Sequence, residues 1–139
     1  MGGRFWISVV VTAVLCLLSG FVVHGLLLRA DYLQLPNLLR AETDAQGYFG
    51  WMILADVLMG FGLTWIYRQG RETGKPPVGQ GLRFGAAIAV LMTVPMYLIY
   101  YAVQPWPGGV VVKQITYDVI AILVIGVVVA FINQDRKAA

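Results

Sequence analysis

Two aspartates lie inside strongly apolar stretches of this 139-residue chain. Asp56 belongs to "YFGWMILADVLMGFG" and Asp118 to "VVVKQITYDVIAILVIG", and each is followed by Val and a long aliphatic residue. An aspartate at the centre of a membrane helix costs about 2.5–3.5 kcal/mol on insertion scales, so such residues usually face a bundle interior or a wet cavity. Two carboxylates that lie close together share a proton. The chemistry that this pair could supply is therefore the binding of a proton, a cation or a small polar ligand.

Other polar residues are expected in the same half of the molecule, near the outer ends of the apolar stretches. His24 is the only histidine and lies near the end of the first stretch. Tyr97 and Tyr101 share a helix face because they are four residues apart, and so do Gln114 and Asp118. The predicted pocket for a ligand or ion contains seven residues: His24, Asp56, Tyr97, Tyr101, Lys113, Gln114 and Asp118.

The same residues also have a purely structural interpretation. Asp118 could pair with Lys113 or His24, and Asp56 could bond to a tyrosine hydroxyl. Such contacts would fix the register of the helices, as polar groups do in membrane bundles. The sequence leaves both interpretations open.

Enzymatic, cofactor-dependent and nucleic-acid-binding functions find no support in the sequence. It contains neither G-x-S-x-G nor H-E-x-x-H. With one histidine and one cysteine, Cys16, it offers no cysteine pair and no second histidine for haem, and metal transport needs more such ligands at helical spacing. The net charge of +3 comes without a run of Lys or Arg. We expect no enzymatic activity, no cofactor, no metal site and no nucleic-acid partner.

The composition indicates which elements must position these side chains. Hydrophobic residues make up 59% of the chain and charged residues 12%, and a soluble domain carries roughly twice that charge. Four segments are long enough to cross a bilayer, which takes about 20 apolar residues, and lipid requires them to be helices. The predicted fold is an all-α bundle of four transmembrane helices in one domain over residues 1–139, with Asp56 and Asp118 each about two turns from an outer end. The predicted spans are about 5–28, 48–67, 84–103 and 110–132.

The basic residues are divided unequally between the two ends of the predicted bundle. Lys and Arg accumulate on the cytoplasmic side of membrane proteins. We therefore expect both termini and the loop "YRQGRETGKPPVGQGLR" to be cytoplasmic. The two sides carry seven and three basic residues: Arg4, Arg68, Arg71, Lys75, Arg83, Arg136 and Lys137 against Arg29, Arg40 and Lys113.

The links between the segments differ in composition. In the cytoplasmic loop, "GKPPVGQG" is typical of a flexible link that does not continue a helix. The first outer link contains "LPNLLRAETDAQG", which predicts either an exposed loop or a short helix on the membrane surface. That helix would begin at Pro36 or Asn37 and end at Gly47.

Single residues within the segments predict local deviations. Pro95 should kink the third helix and free the carbonyl of Leu91 from its hydrogen bond. Gly60 and Gly62 should allow another helix to approach the second one closely.

The chain also resembles two hairpins in tandem. "ILADVLMGFG" in the second segment parallels "ITYDVIAILV" in the fourth, although Asp-Val with aliphatic neighbours also arises by chance. Two hairpins in the same orientation would be related by a pseudo-twofold axis along the membrane normal. In that arrangement the second and fourth helices are counterparts.

The third and fourth segments share a further pattern: Gly-Leu near the start of the third, Pro followed by Tyr within it, and an aromatic and then Gly in the fourth. This pattern resembles the C-terminal half of an uncharacterised bacterial four-helix family, domain of unknown function 1761. "SGFVVHGLLLRADY" resembles its first half, although His24 departs from the family's aromatic pattern. The resemblance implies a four-span protein of the bacterial inner (plasma) membrane with no assigned activity. The matching residues are Gly81, Leu82, Pro95, Tyr100 or Tyr101, Tyr117 and Gly126.

Two functions fit these observations. The first is a non-enzymatic accessory or structural protein that packs in the bilayer, as a homo-oligomer or as a subunit of a larger membrane complex. The second is a minimal transporter or channel whose outward-facing polar pocket binds a proton, a cation or a small polar ligand.

Overall fold

The computed structural model describes residues 2–134; Arg136 and Lys137, which contribute to the predicted orientation, lie outside the described residues. Within residues 2–134 the regular elements are helical, and four helical segments are long and apolar enough to cross a membrane. The prediction of an all-helical chain with four such segments is confirmed. We call the segments spans 1 to 4: Gly3–Leu27, Thr43–Gly70, Pro77–Val103 and Gly108–Asn133.

Span 2 begins earlier than predicted, because the end of the first outer link is helical. The predicted surface helix from Pro36 or Asn37 to Gly47 is wrong at both ends. The helix begins at Glu42 and continues past Gly47 into the span, and residues 33–41 are not helical. The link also contains a single helical turn, Arg29–Tyr32. The helical stretch that contains span 2 is composed of a short helix, a 3₁₀ turn and a long helix: Glu42–Ala45, Gln46–Tyr48 and Phe49–Gly70.

Span 3 also begins earlier than predicted, since its helix starts at Pro77. Proline suits the first turn of a helix, where its missing N–H has no intrahelical partner to lose. The prediction that "GKPPVGQG" does not continue a helix is therefore wrong for most of that stretch. The remaining loop is short, and the side chain of Gln80 forms hydrogen bonds to its backbone. That side chain accepts a hydrogen bond from the backbone N–H of Glu72 at 2.7 Å and donates to the carbonyls of Glu72 and Lys75, both at 3.0 Å.

The carboxylate of Glu72 lies in the same loop and accepts hydrogen bonds from Lys75 and Arg83. These bonds hold the pKa of Glu72 below its ordinary value. The charged side chains of Glu72, Lys75 and Arg83 therefore form a connected group at the beginning of span 3. The loop is an ordered turn in the structure, where the sequence predicts a flexible link.

Pro95 is accommodated by a change of helix type. Span 3 is α-helical over Pro77–Ile88, π-helical over Ala89–Thr93 and α-helical again over Val94–Val103. A π-helical turn is wider than an α-helical one, and single turns of this kind are a known cause of helix bending. The deviation from α-helical geometry that Pro95 predicts is therefore present in the helical turn before Pro95.

The spans pack in pairs through glycines. A Cβ atom at Gly60 of span 2 would lie 2.6 Å from the carbonyl oxygen of Val9 in span 1. A Cβ atom at Gly81 of span 3 would lie 2.7 Å from the carbonyl oxygen of Gly126 in span 4. Both distances are too short for a side chain, so the backbones are in direct contact. Gly62 has open space beside it, so the prediction of close approach is correct for Gly60 and wrong for Gly62.

The four spans follow the order 2–1–4–3. Span 1 packs extensively on span 2, span 4 on span 3, and spans 1 and 4 join the two pairs. Contacts between spans 2 and 3 are few, and they include the edge-to-face pair Tyr67–Phe84 with ring centroids 5.4 Å apart. The pairing agrees with two successive hairpins, while their relation by an internal repeat stays a prediction. The core lies where the spans converge: Cys16, Leu63, Tyr67, Ile88, Ile125, Val129 and Ala130.

The bundle has two distinct ends, which we call the terminal end and the His24 end. At the terminal end, the start of span 1 meets the end of span 4, where Asn133 bonds to Ser8. At the His24 end, the end of span 1 meets the beginning of span 4 and the end of span 3.

Candidate functional site: a polar cluster around His24

Five polar side chains are connected by hydrogen bonds at the His24 end. The imidazole Nδ1 of His24 lies 2.6 Å from the hydroxyl oxygen of Tyr32. Its Nε2 lies 3.4 Å from both the Tyr97 hydroxyl and a carboxylate oxygen of Asp118. Tyr97 donates a hydrogen bond to the same oxygen of Asp118, and Gln114 donates to Tyr32 at 3.0 Å. We call these five residues the His24 cluster; they connect spans 1, 3 and 4 with the first outer link.

The backbone around His24 determines where its ring points. Residues Phe21–Leu27 form a π-helical segment, and the N–H of Leu28 donates to the carbonyl of Val23, five residues earlier, at 2.9 Å. Such a wide turn changes the direction of the side chains that follow it, and π-helical turns occur frequently at functional sites. The next helical turn, Arg29–Tyr32, then returns Tyr32 to the imidazole, and the two rings stack with an interplanar angle of 8°.

The hydrogen-bond donors of the cluster define what it can do chemically. Tyr32 accepts from Gln114, and burial raises the pKa of its hydroxyl, which therefore stays protonated. In the neutral imidazole, Tyr32 donates to Nδ1, and Nε2 carries the hydrogen that faces Asp118. In the protonated imidazole both nitrogens donate, and the Tyr32 oxygen accepts.

The structure brings four of the seven predicted residues together and separates the other three. Lys113 forms an ion pair with Asp31, with distances of 2.8 and 2.9 Å from its Nζ to the two carboxylate oxygens. Tyr101 is half-exposed and takes no part in the cluster. Asp56 lies at the middle of span 2 and has no contact with the cluster. The four residues within the cluster are His24, Tyr97, Gln114 and Asp118.

The different position of Asp56 follows from the bounds of span 2. Because this span begins at Thr43, Asp56 is 13 residues from its start and 14 from its end, at the middle of the span. Asp118 is 10 residues from the start of span 4. Asp56 also lies one turn from Gly60 on the face that packs against span 1. The two aspartates therefore differ in depth and do not share one pocket.

Lys113 belongs to a separate surface pocket at the His24 end. This pocket has a volume of about 260 Å³ and is formed where the first outer link meets the start of span 4. The ion pair of Lys113 with Asp31 lies at its wall. The lining residues are Asp31, Gln34, Leu35, Pro107, Gly109, Val110 and Lys113.

Sequence reasoning missed a second group of polar contacts, at the terminal end. Asn133 donates to the hydroxyl of Ser8 at 2.8 Å, and Ser8 and Thr64 share a hydrogen bond of 3.1 Å. All three side chains are almost fully buried, so they connect spans 1, 2 and 4. Arg71 donates to the carbonyl of Asn133, the last residue of span 4, and Arg4 donates to that of Gln134, which follows it; cations are favourable at this end of a helix. The signal that the sequence offers for this group is the presence of single polar residues within otherwise apolar stretches.

Comparison of the chain with protein-family models, with curated proteins and with solved structures found no match. Within residues 2–134, no three His, Cys, Asp or Glu side chains are grouped so that they could hold a metal ion.

Proposed function

We propose that this chain is a non-enzymatic multi-pass membrane protein that acts as an accessory or structural subunit, in a homo-oligomer or in a larger membrane assembly. The observation that carries the proposal is the order 2–1–4–3 of the spans. Spans 2 and 3 each pack extensively on one neighbour only. Their remaining faces are apolar and exposed, with Leu58 at 62% and Val90 at 73%. A partner helix or a second copy would cover these faces.

The His24 cluster supports a structural role. Its hydrogen bonds run between spans 1, 3 and 4, and each of its polar groups has a partner inside the cluster. Interhelical hydrogen bonds in membrane proteins contribute on average about 0.6 kcal/mol each. Several such bonds at one end, with those of Ser8, Thr64 and Asn133 at the other, fix the register of the spans. A fixed register gives a partner a defined surface.

The proposed location is the inner membrane of a bacterium, with both termini in the cytoplasm. Arg4, Arg71, Lys75 and Arg83 all lie at the terminal end, and this accumulation of positive charge supports the orientation. The four apolar spans support a bilayer as the surroundings. The resemblance to the domain of unknown function 1761 fits the same setting and stays a prediction.

Cysteine cross-linking in native membranes tests the assembly. In a Cys16→Ser background we expect Leu58→Cys and Val90→Cys to form cross-linked species, because these positions lie on the uncovered faces of spans 2 and 3. Val10→Cys is the matched control, since Val10 is 62% exposed on span 1, which already packs on two spans. Cross-linking of all three variants to the same extent, or of none, would contradict the proposal.

A second candidate function is a minimal transporter or channel with an outward-facing polar pocket. One observation favours it: the side chains of His24 and Asp118 are 37% and 21% exposed, so the cluster is accessible from outside the protein. An accessible histidine beside a carboxylate can take up and release a proton. In this function the Asp118 carboxylate is required for transport, whereas in the structural role it is required for stability.

A further inference from the structure

Two buried polar side chains near the middle of spans 1 and 2 remain without a partner in the described part of the chain. Thr12 is 0% exposed, and its hydroxyl makes no hydrogen bond. Asp56 is 9% exposed, and no hydrogen bond or ion pair joins its carboxyl group to a residue within 2–134. Buried polar groups are nearly always satisfied, by protein or by ordered water. The buried Thr12 hydroxyl therefore lacks a hydrogen-bond partner that the described residues could supply.

The contact of Gly60 with span 1 defines where the two groups stand relative to each other. Gly60 touches Val9 and Ala13, so Thr12 lies at the depth of this contact. Asp56 is one turn further toward the His24 end on the same face of span 2, within electrostatic reach of the Cys16 thiol. Thr12 and Asp56 therefore face the same helix contact, and their depths differ by about one turn, or roughly 6 Å.

An offset of this size along the helix axis is within the reach of one bridging water molecule. A water that makes hydrogen bonds of about 2.8–3.0 Å to two groups joins atoms that are roughly 5–6 Å apart. Ala13 and Cys16, which border this part of the contact, are small. Buried waters commonly satisfy polar groups of this kind.

The charge on Asp56 is not balanced by a described cation. Cys16 is the titratable group that faces it from span 1, and span 4 contributes Ile125 to the same core, with Ile122 against it. A carboxylate at the middle of a membrane span is unfavourable without a counter-charge, and addition of one proton removes the charge.

We propose that Thr12 and Asp56 form a hydrated proton-binding site at the contact between spans 1 and 2. One proton binds to the Asp56 carboxylate and gives a neutral carboxylic acid. The acid O–H donates to a water molecule, and the water donates to the Thr12 hydroxyl oxygen. This site is separate from the His24 cluster, and it does not depend on the assembly proposed for the chain.

Infrared spectroscopy of the purified protein in lipid vesicles tests the site, with the pH varied from acidic to alkaline. A protonated carboxyl group has a carbonyl absorption that a carboxylate lacks. We expect this absorption in the wild-type protein, its loss in Asp56→Asn and its retention in Asp118→Asn. If wild type and Asp56→Asn have the same carbonyl absorption at every pH, the proposal is wrong.

The role of Thr12 is tested separately, so that a folding defect of Asp56→Asn does not decide the outcome. Thr12→Val has nearly the same shape and removes the hydroxyl, so the absorption of Asp56 should shift as its hydrogen-bonded water is lost. Thr116→Val is the matched control, because the Thr116 hydroxyl donates to the carbonyl of Val112 at 2.8 Å on span 4. An absorption that Thr12→Val leaves unchanged would overturn the proposal.

Discussion

At the scale of the residue, two aspartates with the same local sequence have different surroundings. Asp118 accepts a hydrogen bond from Tyr97 and lies 3.4 Å from the His24 imidazole. Asp56 has no such neighbours and faces span 1 at the middle of its span. The motif of Asp, Val and a long aliphatic residue therefore does not determine the role of the carboxylate. The side chains that other spans contribute determine it.

Asp118→Asn tests the role of the His24 cluster. Removal of the negative charge weakens the contacts with His24 and Tyr97, and we expect a loss of about 1 kcal/mol in stability, within the range of polar contacts in membrane bundles. Thermal unfolding in detergent measures this loss. Asp44→Asn is the control, because Asp44 pairs with Arg40 at the start of span 2, where both side chains are about half-exposed.

The same variant distinguishes the two candidate functions. For a structural role, reconstituted vesicles of the wild-type protein and of Asp118→Asn should both show no proton or cation uptake. If the wild-type vesicles take up protons or a cation and the variant does not, the protein is a transporter or channel and the structural proposal fails.

The sequence predicts part of the candidate site because helical periodicity is local. Gln114 and Asp118 are one turn apart, and His24 and Tyr97 lie near the same ends of their spans, so their grouping follows from the placement of the spans. Tyr32 could not be predicted, because it reaches the cluster through a link whose path depends on a π-helical segment. Lys113 lies outside the cluster for a related reason: its ion-pair partner, Asp31, lies in the same link.

At the scale of the element, glycines determine how closely the helices approach. Gly60, Gly81, Gly85 and Gly126 all bring backbones into contact, whereas Gly62 and Gly79 have open space. The positions of the spans could be predicted from hydropathy, and so could a close approach at Gly60. Which of two neighbouring glycines makes the contact could not be predicted, because glycines on different faces of one helix look alike in the sequence. Span 3 begins at Pro77, whereas its predicted start is at about residue 84, because "GKPPVGQG" contains the glycines and prolines that usually end helices.

Gly60→Ala and Gly62→Ala form a matched pair on one helix. The methyl group of Gly60→Ala would collide with the backbone of Val9 and force spans 1 and 2 apart. We expect a destabilisation of about 1–3 kcal/mol, as for other overpacked contacts. Gly62→Ala should leave stability unchanged or increase it by up to about 1 kcal/mol, because alanine favours helices. Thermal unfolding of both variants measures the difference, and equal effects would show that spans 1 and 2 are not in direct backbone contact.

At the scale of the whole molecule, the two ends of the bundle differ in charge and in chemistry. The terminal end carries arginines and the buried group Ser8, Thr64 and Asn133. The His24 end carries the titratable cluster. This asymmetry is the physical basis for the predicted orientation, in which the cluster faces away from the cytoplasm.

Labelling of single cysteines in intact cells tests that orientation. In a Cys16→Ser background, Asn37→Cys in the first outer link should react with a membrane-impermeant thiol reagent. Thr73→Cys, in the loop between spans 2 and 3, should react only after the membrane is permeabilised. The reverse pattern would place the His24 cluster in the cytoplasm.

The hydrogen bond between Ser8 and Asn133 joins residues that are 125 positions apart in the chain. Spans 1 and 2 can pair as soon as both are synthesised, and spans 3 and 4 can pair in the same way, because each hairpin is local. The contact of Asn133 with Ser8 has to wait for the last turn of span 4. Contacts between residues far apart in the chain form more slowly than local ones, because a long loop has to close first. Ser8 pairs with Thr64 inside the first hairpin, but the amide of the buried Asn133 joins this group only when span 4 is in place, so the hydrogen bonds at the terminal end are completed after both hairpins have formed.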